Sequence, residues 1–207
     1  GYYLAGRVTP AGRMLAFDDA SVYGFGRKPK YFKWTTPLEY HLFATSKEIP
    51  DFEKPTRPSG GSYVAVEKSE SLDPAGKPLT VEAWVKADNG NGVVLARGGP
   101  SHGYALFLQG GKPQFAIRVS NEVCAVGADE KVVGKWVHLA GVLTADKELQ
   151  VYVNGKLSGS APAAGFIASD PAQAMEIGAD ERGGVGDYTS PFGLKGIIDE
   201  VRDYHAA

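Results

Sequence analysis

Residues 149–157 read Leu149-Gln150-Val151-Tyr152-Val153-Asn154-Gly155-Lys156-Leu157. The first five are strand-forming residues, and they end on Asn-Gly, the dipeptide that best accommodates the two positive φ angles of a type I′ turn. Because a two-residue turn of this kind reverses the chain between hydrogen-bonded neighbours, the stretch predicts a β-hairpin.

Short β-branched and aromatic runs recur on both sides of this hairpin, with roughly 8–15 residues between their starts. They occupy residues 63–67, 79–86, 93–97, 104–109, 114–119, 123–126, 136–143, 149–153, 175–178 and 197–204. Turn residues separate them, and no segment keeps a convincing helical period over three turns. The spacing is typical of an all-β chain folded as an antiparallel β-sandwich or barrel.

The composition is that of a folded, near-neutral chain. Of its 207 residues, 43% are hydrophobic and 22% are charged, with a formal net charge of −2. These values exclude intrinsic disorder and provide no overall attraction for nucleic acid. No apolar run approaches the roughly 18 residues of a membrane span, so we expect no membrane insertion. The single Cys excludes an internal disulfide.

A proline- and glycine-rich stretch at residues 50–61 divides the chain. Residues 1–57 hold 11 aromatic residues, nine basic and six acidic, whereas residues 58–207 hold 13 basic and 18 acidic residues. We therefore predict an aromatic-rich β segment at 1–57 and a β domain at 58–207. Within the first segment, strands are predicted at residues 13–18, 21–24, 31–34 and 38–45.

The stretch Gly99-Pro100-Ser101-His102-Gly103 matches the G-x-S-x-G pattern of hydrolase nucleophiles. That motif needs a strand before the serine and a helix after it. Here a second strand pattern follows, so the sequence places Ser101 in a hairpin loop. A hydrolase function is the less favoured alternative.

Carboxylate pairs offer a glycosidase as another catalytic alternative. Asp199 and Glu200 are adjacent in a predicted strand, so their side chains leave opposite faces and cannot act as an acid/base pair with each other. Glu82 shares a face with Thr80, Trp84 and Lys86, where it could line a groove, but the sequence identifies no second carboxylate for it. We therefore predict no enzymatic activity.

The oxygen-rich loops suit Ca²⁺ rather than zinc or copper. The candidate ligands are Asp88, Asn89, Asn91, Asp180, Glu181, Asp187 and Asp199. The spacing of an EF-hand loop is absent, and the four His residues show no ligand spacing. A calcium site assembled from separate loops stays open.

From residue 79 onward the chain resembles the laminin-G-like jelly roll of the concanavalin A-like lectin/glucanase superfamily. Four stretches carry the resemblance: LTVEAWVK at 79–86, GKWVHLAGV at 134–142, LQVYVNGKL at 149–157 and FGLKGIIDEVRDY at 192–204. Their order and spacing extend over most of the predicted β domain. The strand of alternating catalytic carboxylates that marks the superfamily's glucanases is absent.

The resemblance implies two antiparallel sheets packed face to face, with Trp84 and Trp136 in or beside the core. It also implies a final strand that returns beside the first one, near residues 63–67. In calcium-containing relatives, the aspartate matching Asp199 helps to hold the ion, which makes Asp199 the candidate metal ligand. The opening stretch at 59–63 lacks the acidic residue that such relatives usually carry.

Residues 10–45 resemble the closing blade of a quinoprotein-like β-propeller. The stretch GRMLAFDDASVYGFGR at 12–27 carries this resemblance. One blade buries too little surface to be stable alone. We therefore expect the chain to be the C-terminal piece of a larger protein.

These observations favour a non-catalytic carbohydrate-binding or adhesion module of a larger secreted or cell-envelope bacterial protein. Its partner would be a polysaccharide or a glycoprotein surface. From their predicted positions on loops and faces, the ligand-binding residues are Asp88, Asn89, Asn91, His102, Tyr104, Asp187 and Tyr188. The alternative is a structural or assembly module that docks through residues 1–57 on a partner chain or on its own propeller.

Overall fold

The computed structural model describes residues 4–8, 14–17 and 63–205. Its thirteen strands are β1 Leu4–Val8, β2 Met14–Phe17, β3 Val64–Val66, β4 Leu79–Ala87, β5 Gly92–Gly98, β6 Gly103–Gln109, β7 Lys112–Val119, β8 Glu122–Gly127, β9 Val137–Leu143, β10 Glu148–Val153, β11 Lys156–Pro162, β12 Met175–Ile177 and β13 Gly196–Tyr204. A 3-10 helix at Glu70–Leu72 is the one helix within these residues.

The strands form two sheets. Sheet A has seven strands in the order β11-β10-β9-β4-β13-β1-β2, and sheet B has six in the order β3-β12-β5-β6-β7-β8. Neighbouring strands pair antiparallel in both sheets, as in β4 with β9 and β5 with β6. The predicted all-β antiparallel sandwich of the jelly-roll, concanavalin A-like class is confirmed.

Side-chain alternation places the core between the sheets. In β4, every odd-numbered residue from Leu79 to Ala87 is buried, whereas the even-numbered residues are half-buried or exposed. Leu106, Leu108 and Phe115 of sheet B pack against this row within one continuous apolar cluster. The period-2 pattern of the sequence therefore specifies which face of each strand is buried.

The predicted hairpin at 149–157 is confirmed. Asn154 and Gly155 have φ angles of 51° and 73°, as a type I′ turn requires. The sequence did not predict that β11 continues to Pro162. Its later residues are small or polar, which gives little strand signal, but β10 supplies hydrogen-bond partners from Val153 back to Glu148.

The neighbour predicted for the final strand is wrong. β13 lies between β4 and β1 in sheet A, whereas β3 pairs with β12 in sheet B. β13 and β4 each have nine residues and β3 has three. β4 therefore satisfies far more backbone hydrogen bonds of β13 than β3 can offer.

Two short N-terminal strands extend sheet A. β1 pairs antiparallel with β13, for example Leu4 with Val201, and β2 pairs with β1. β2 coincides with the strand predicted at residues 13–18. The strands predicted at 21–24, 31–34 and 38–45, and most of the stretch that resembles a propeller blade, lie outside the described residues. The division at residue 57 stays a prediction.

The outer face of sheet B carries a second, smaller apolar cluster. Its buried members are Val93, Ala96, Ala105, Phe107, Ala116 and Val185. Tyr188 contacts Phe107 edge-on, with 4.9 Å between ring centroids, and stacks on Phe192 at the same centroid distance. Because Tyr188 and Phe192 belong to the connection between β12 and β13, this connection covers the outer face of sheet B.

Candidate functional site

Four of the predicted ligand-binding residues meet at one end of the sandwich. Three of them are exposed in the loop between β4 and β5: Asp88, Asn89 and Asn91. The side-chain oxygen of Asn91 accepts a hydrogen bond of 2.9 Å from the Gly110 N–H in the β6–β7 turn. The adjacent Gln109 donates to the carbonyl of the fourth residue, Asp187, at 3.2 Å. These loops form a polar surface beside the start of β5.

The other three predicted ligand-binding residues lie elsewhere. His102 is in the β5–β6 loop, at the opposite end of both strands, where its Nδ1 accepts from the Ser120 N–H at 3.4 Å. Tyr104 is fully buried, because its position in β6 faces the core. The Tyr188 hydroxyl donates to Asp180 at 2.6 Å, beneath the β12–β13 connection. The seven residues therefore do not form one site.

Ser101 lies in the β5–β6 hairpin loop, between Gly98 and Gly103, as the sequence predicts. Its carbonyl accepts a hydrogen bond from the Asn121 N–H at 2.9 Å. The strand that follows, β6, replaces the helix that a nucleophile elbow requires.

Asp199 lies at a β-bulge of β13, where the register against β4 shifts and Glu200 adopts a φ of 52°. Its Oδ1 accepts the Glu200 N–H at 2.8 Å. In the described part of the chain, no group of three or more His, Cys, Asp or Glu residues is placed to hold a metal ion. Calcium ligation by Asp199 stays a prediction.

The resemblance implied that Trp84 and Trp136 lie in or beside the core, and neither lies in it. They are 40% and 44% exposed, respectively. Alternation along β4 assigns Ala83 and Val85 to the core and sends Trp84 to the outer side of sheet A. The sequence already indicated this outward position, because Trp84 alternates in β4 on the same face as Thr80, Glu82 and Lys86.

The outer side of sheet A carries four exposed or half-buried aromatic side chains and one exposed leucine, which together we call the aromatic face. It comprises Trp84, Trp136, His138, Tyr152 and Leu157. Cross-strand register brings them together, because Trp84 pairs with His138 and Tyr152 pairs with Leu157. The rings of Trp84 and His138 are 5.5 Å apart between centroids and tilted by 59°.

A chain of charged side chains crosses the aromatic face. Glu82 Oε2 lies 3.2 Å from His138 Nε2, and Glu82 Oε1 accepts a hydrogen bond from Arg202 at 3.1 Å. Arg202 also forms an ion pair with Glu200. Partial burial works to lower the pKa of Arg202, but its hydrogen bond with Glu82 and the charge of Glu200 outweigh burial and raise that pKa. The guanidinium therefore stays charged and holds the Glu82 carboxylate in place.

A second polar chain follows β10 on the same side of sheet A. The Tyr152 hydroxyl donates to Gln150, and Gln150 donates to Glu148, each at 2.7 Å. These side chains lie beside the aromatic face and add hydrogen-bonding groups to it. Sequence analysis missed both chains. The first requires the register of β4, β9 and β13, whereas the second lies along β10 alone, where alternation already puts Glu148, Gln150 and Tyr152 on one face.

The charged and polar groups between the sheets have a structural role. The Tyr104 hydroxyl donates to Asp203 Oδ2 at 2.5 Å and ties β6 of sheet B to β13 of sheet A. Burial raises the pKa of Asp203, and the hydrogen bond from Tyr104 lowers it only in part. The fully buried Arg97 binds Asp170 at 2.6 Å. Burial works to raise the pKa of Asp170, but hydrogen bonds from Lys68 and Arg97 outweigh burial and lower it.

Comparison with solved structures finds the same fold in several other proteins. The chain is similar to domains LG4-5 of the mouse laminin α1 chain (TM-score 0.56, 16% identity, covering 70% of this chain and 39% of that chain). It is also similar to the binding domain of botulinum neurotoxin serotype G (TM-score 0.55, 11% identity, covering 72% of this chain and 38% of that chain). A third similar structure is that of a putative carbohydrate-binding protein from Bacteroides ovatus (TM-score 0.52, 15% identity, covering 70% of this chain and 41% of that chain). The chain thus spans about two fifths of each of these three.

A comparison with curated proteins by sequence finds no match. Among the described residues, no helix is long and apolar enough to cross a membrane. A family profile, the laminin G type of the concanavalin A-like lectin/glucanases superfamily, matches residues 58–207. Because that match extends over more than half of the chain and the sandwich agrees with it, the protein belongs to the concanavalin A-like lectin/glucanases superfamily as a laminin-G-type chain.

Proposed function

We propose that this protein is a non-catalytic module that binds carbohydrate through the aromatic face of sheet A. The observation that carries the proposal is the pair of exposed tryptophans, Trp84 and Trp136, beside charged side chains held in place by ion pairs. A half-exposed indole on a sheet is costly to leave in water, and such rings are enriched where proteins bind partners.

The chemistry of the aromatic face suits a sugar. The C–H faces of a pyranose ring pack on aromatic faces, whose π-systems are electron-rich. The ring hydroxyls find acceptors and donors in Glu82, Arg202 and Gln150. A rigid sheet holds these groups in fixed positions, which lowers the entropy lost on binding.

The comparisons support a binding role. Family membership brings the fold of lectins, and one similar structure is that of a putative carbohydrate-binding protein. Two others are a laminin LG pair and a toxin binding domain. By analogy with these proteins, we place the module in a larger secreted or cell-envelope bacterial protein, where it binds a polysaccharide or a glycoprotein surface.

The test compares two candidate surfaces in the full chain by affinity gel electrophoresis against a panel of soluble polysaccharides. Trp84→Ala is expected to lower affinity about tenfold, because it removes the exposed indole next to Glu82 on β4. Asn89→Ala, in the exposed β4–β5 loop, is the matched control and should bind as the wild type does. Loss of binding in Asn89→Ala alone would move the site to the loops.

Calcium bound through Asp199 stays a prediction, and the same gels test it by adding a chelator. Loss of retardation on chelation would support a cation at the site, and unchanged retardation would contradict it. A wild-type chain that no polysaccharide retards, with or without calcium, contradicts the carbohydrate-binding proposal.

A structural or assembly module is the second candidate function. It rests on the aromatic-rich composition of residues 1–57, because aromatic residues are enriched at interfaces. In this role, residues 1–57 dock the module on a partner chain or on a propeller of the same protein. Sedimentation of the full chain tests a self-docking version: concentration-dependent dimers support it, and a monomer at every concentration contradicts it.

A further inference from the structure

We infer that Glu82 determines specificity on the aromatic face, and that the ligand is a neutral polysaccharide whose internal residues carry two adjacent hydroxyls. This inference rests on the proposed function, because it names the class of carbohydrate and the residue that selects it. It is carried by the geometry of Glu82 and its partners on β9 and β13.

The free acceptor positions of Glu82 point to a pair of donors. An ionised carboxylate has about four lone-pair positions, two on each oxygen. Oε1 uses one for Arg202, and Oε2 faces His138 Nε2 at 3.2 Å, a contact that takes at most one. Each oxygen therefore keeps one acceptor position, and 19% of the side chain is exposed. Two hydroxyls on neighbouring ring carbons present two donors side by side, one for each oxygen.

The carboxylate is oriented before any sugar binds. His138 holds it from β9 and Arg202 holds it from β13, on either side of β4. A group that neighbouring strands fix in one orientation loses little rotamer entropy when a ligand arrives. Hydrogen bonds to a charged acceptor are also stronger than those between neutral groups. Glu82 is thus the best-placed acceptor on this face for a diol.

Trp84 adds an apolar contact at a fixed distance from Glu82. The two residues are i and i+2 on β4, so their side chains leave the same face about 7 Å apart. That distance is comparable with the width of one sugar ring and its substituents. A pyranose whose C–H face packs on Trp84 therefore directs hydroxyls at its edge toward Glu82.

Charge favours a neutral ligand over an acidic one. Two ion pairs on this face join Arg202 to Glu82 and Arg202 to Glu200. Because Glu82 and Glu200 already balance the charge of Arg202, an anionic sugar would meet two carboxylates for one guanidinium. Residues 58–207 also hold 18 acidic and 13 basic residues, so the domain repels polyanions at long range.

The test titrates the full chain with three soluble polysaccharides in a calorimeter. A 1,4-linked glucomannan carries adjacent hydroxyls on its internal residues, and a 1,3-linked glucan does not. The third probe is the same glucomannan after periodate cleavage of its diols and borohydride reduction. We expect the wild type to bind the intact glucomannan at least about tenfold more tightly than either other probe.

Glu82→Gln is the informative variant, because it keeps the size of the side chain and removes its charge. We expect its affinity for glucomannan to fall about tenfold and its preference over the 1,3-linked glucan to disappear. Glu122→Gln, an exposed glutamate on β8 of the other sheet, is the matched control and keeps wild-type values. Raising NaCl from about 50 to about 500 mM should change wild-type affinity by less than about twofold.

If Glu82→Gln does not fold, the three polysaccharide affinities of the wild type still test whether the ligand is a neutral polysaccharide with adjacent hydroxyls. Equal binding of the 1,3-linked and 1,4-linked polysaccharides overturns the diol requirement but leaves the carbohydrate-binding function standing. Tighter binding of a polyanion such as pectate overturns the neutral class. Unchanged specificity in a folded Glu82→Gln overturns the assignment of Glu82. Failure of every polysaccharide to bind contradicts the proposed function itself.

Discussion

The two outer faces of the sandwich differ in what covers them. On sheet B, small side chains and Phe107 lie beneath the β12–β13 connection, whose Tyr188 and Phe192 complete an apolar cluster. On sheet A, Trp84 is 40% exposed over a chain of ion pairs. An aromatic residue on one face therefore stabilises the fold, whereas an aromatic residue on the other is available to a partner.

Alternation alone does not decide whether an outward-facing residue is buried. Phe107 and Trp84 both point away from the central core, since each lies between residues that face it. Phe107 is 2% exposed because a connection of the chain packs over it. Only the path of that connection separates a second core from a candidate binding surface.

The largest difference in stability should appear when one aromatic ring is removed from each outer face in turn. Phe107→Ala leaves a cavity under the β12–β13 connection and should lower the free energy of unfolding by about 3–5 kcal/mol. Trp84→Ala removes a ring that is already partly in water and should cost about 1 kcal/mol or less. Urea denaturation of both variants measures the two values, and equal losses would break the distinction between the faces.

A smaller effect should separate two tyrosine hydroxyls. Tyr104→Phe leaves Asp203 Oδ2 buried without its donor and should cost about 1–3 kcal/mol. Tyr152→Phe removes the hydrogen bond to Gln150 on the open side of sheet A, where water replaces it, and should cost less than about 0.5 kcal/mol. Thermal unfolding of the pair checks the order; a larger loss in Tyr152→Phe contradicts it.

The smallest effect concerns how the stability of the protein depends on pH through Asp180, in the β12–β13 connection that covers sheet B. Burial raises the pKa of Asp180, and hydrogen bonds from Tyr188 and from the Val185 N–H lower it only in part. A carboxyl whose folded pKa is raised adds stability below its unfolded pKa, near 3.8, and this stability is lost as pH rises through the folded value.

Asp180→Asn removes this titration, so its advantage over the wild type should grow as pH rises through that window. Denaturation midpoints at a series of pH values from about 4 upward measure the difference. Asn89→Ala removes no titrating group and should run parallel to the wild type. A constant difference between Asp180→Asn and the wild type would show that burial of Asp180 carries no linkage to folding.

Much of the fold was predictable because its signals are local. Asn154-Gly155 specifies a turn through the φ angles it tolerates, and alternation from Leu79 to Ala87 specifies a strand with one buried face. The continuation of β11 to Pro162 was not predictable, since its residues favour a strand only when β10 is already alongside. The order of strands required register between segments far apart in the chain.

The candidate site was predictable only in part. The parity of Glu82 and Trp84 on β4 was visible in the sequence. The partners of Glu82 were not, because Arg202 lies 120 residues away and meets it through the register of β13. Tyr104 and Tyr188 were predicted on a surface, but the packing of the sheets buries Tyr104, and Tyr188 is half-buried against sheet B.

Local sequence is sufficient for most of the strands, for the type I′ hairpin at Asn154-Gly155 and for the side of β4 on which Trp84 emerges, because each depends on neighbours a few residues apart. Tertiary packing was needed to bring His138 and Arg202 to either side of Glu82, and to cover sheet B while the aromatic face stays exposed. Those features depend on strand order and on the path of one connection. Both are fixed by the packing free energy of the whole domain rather than by any local segment.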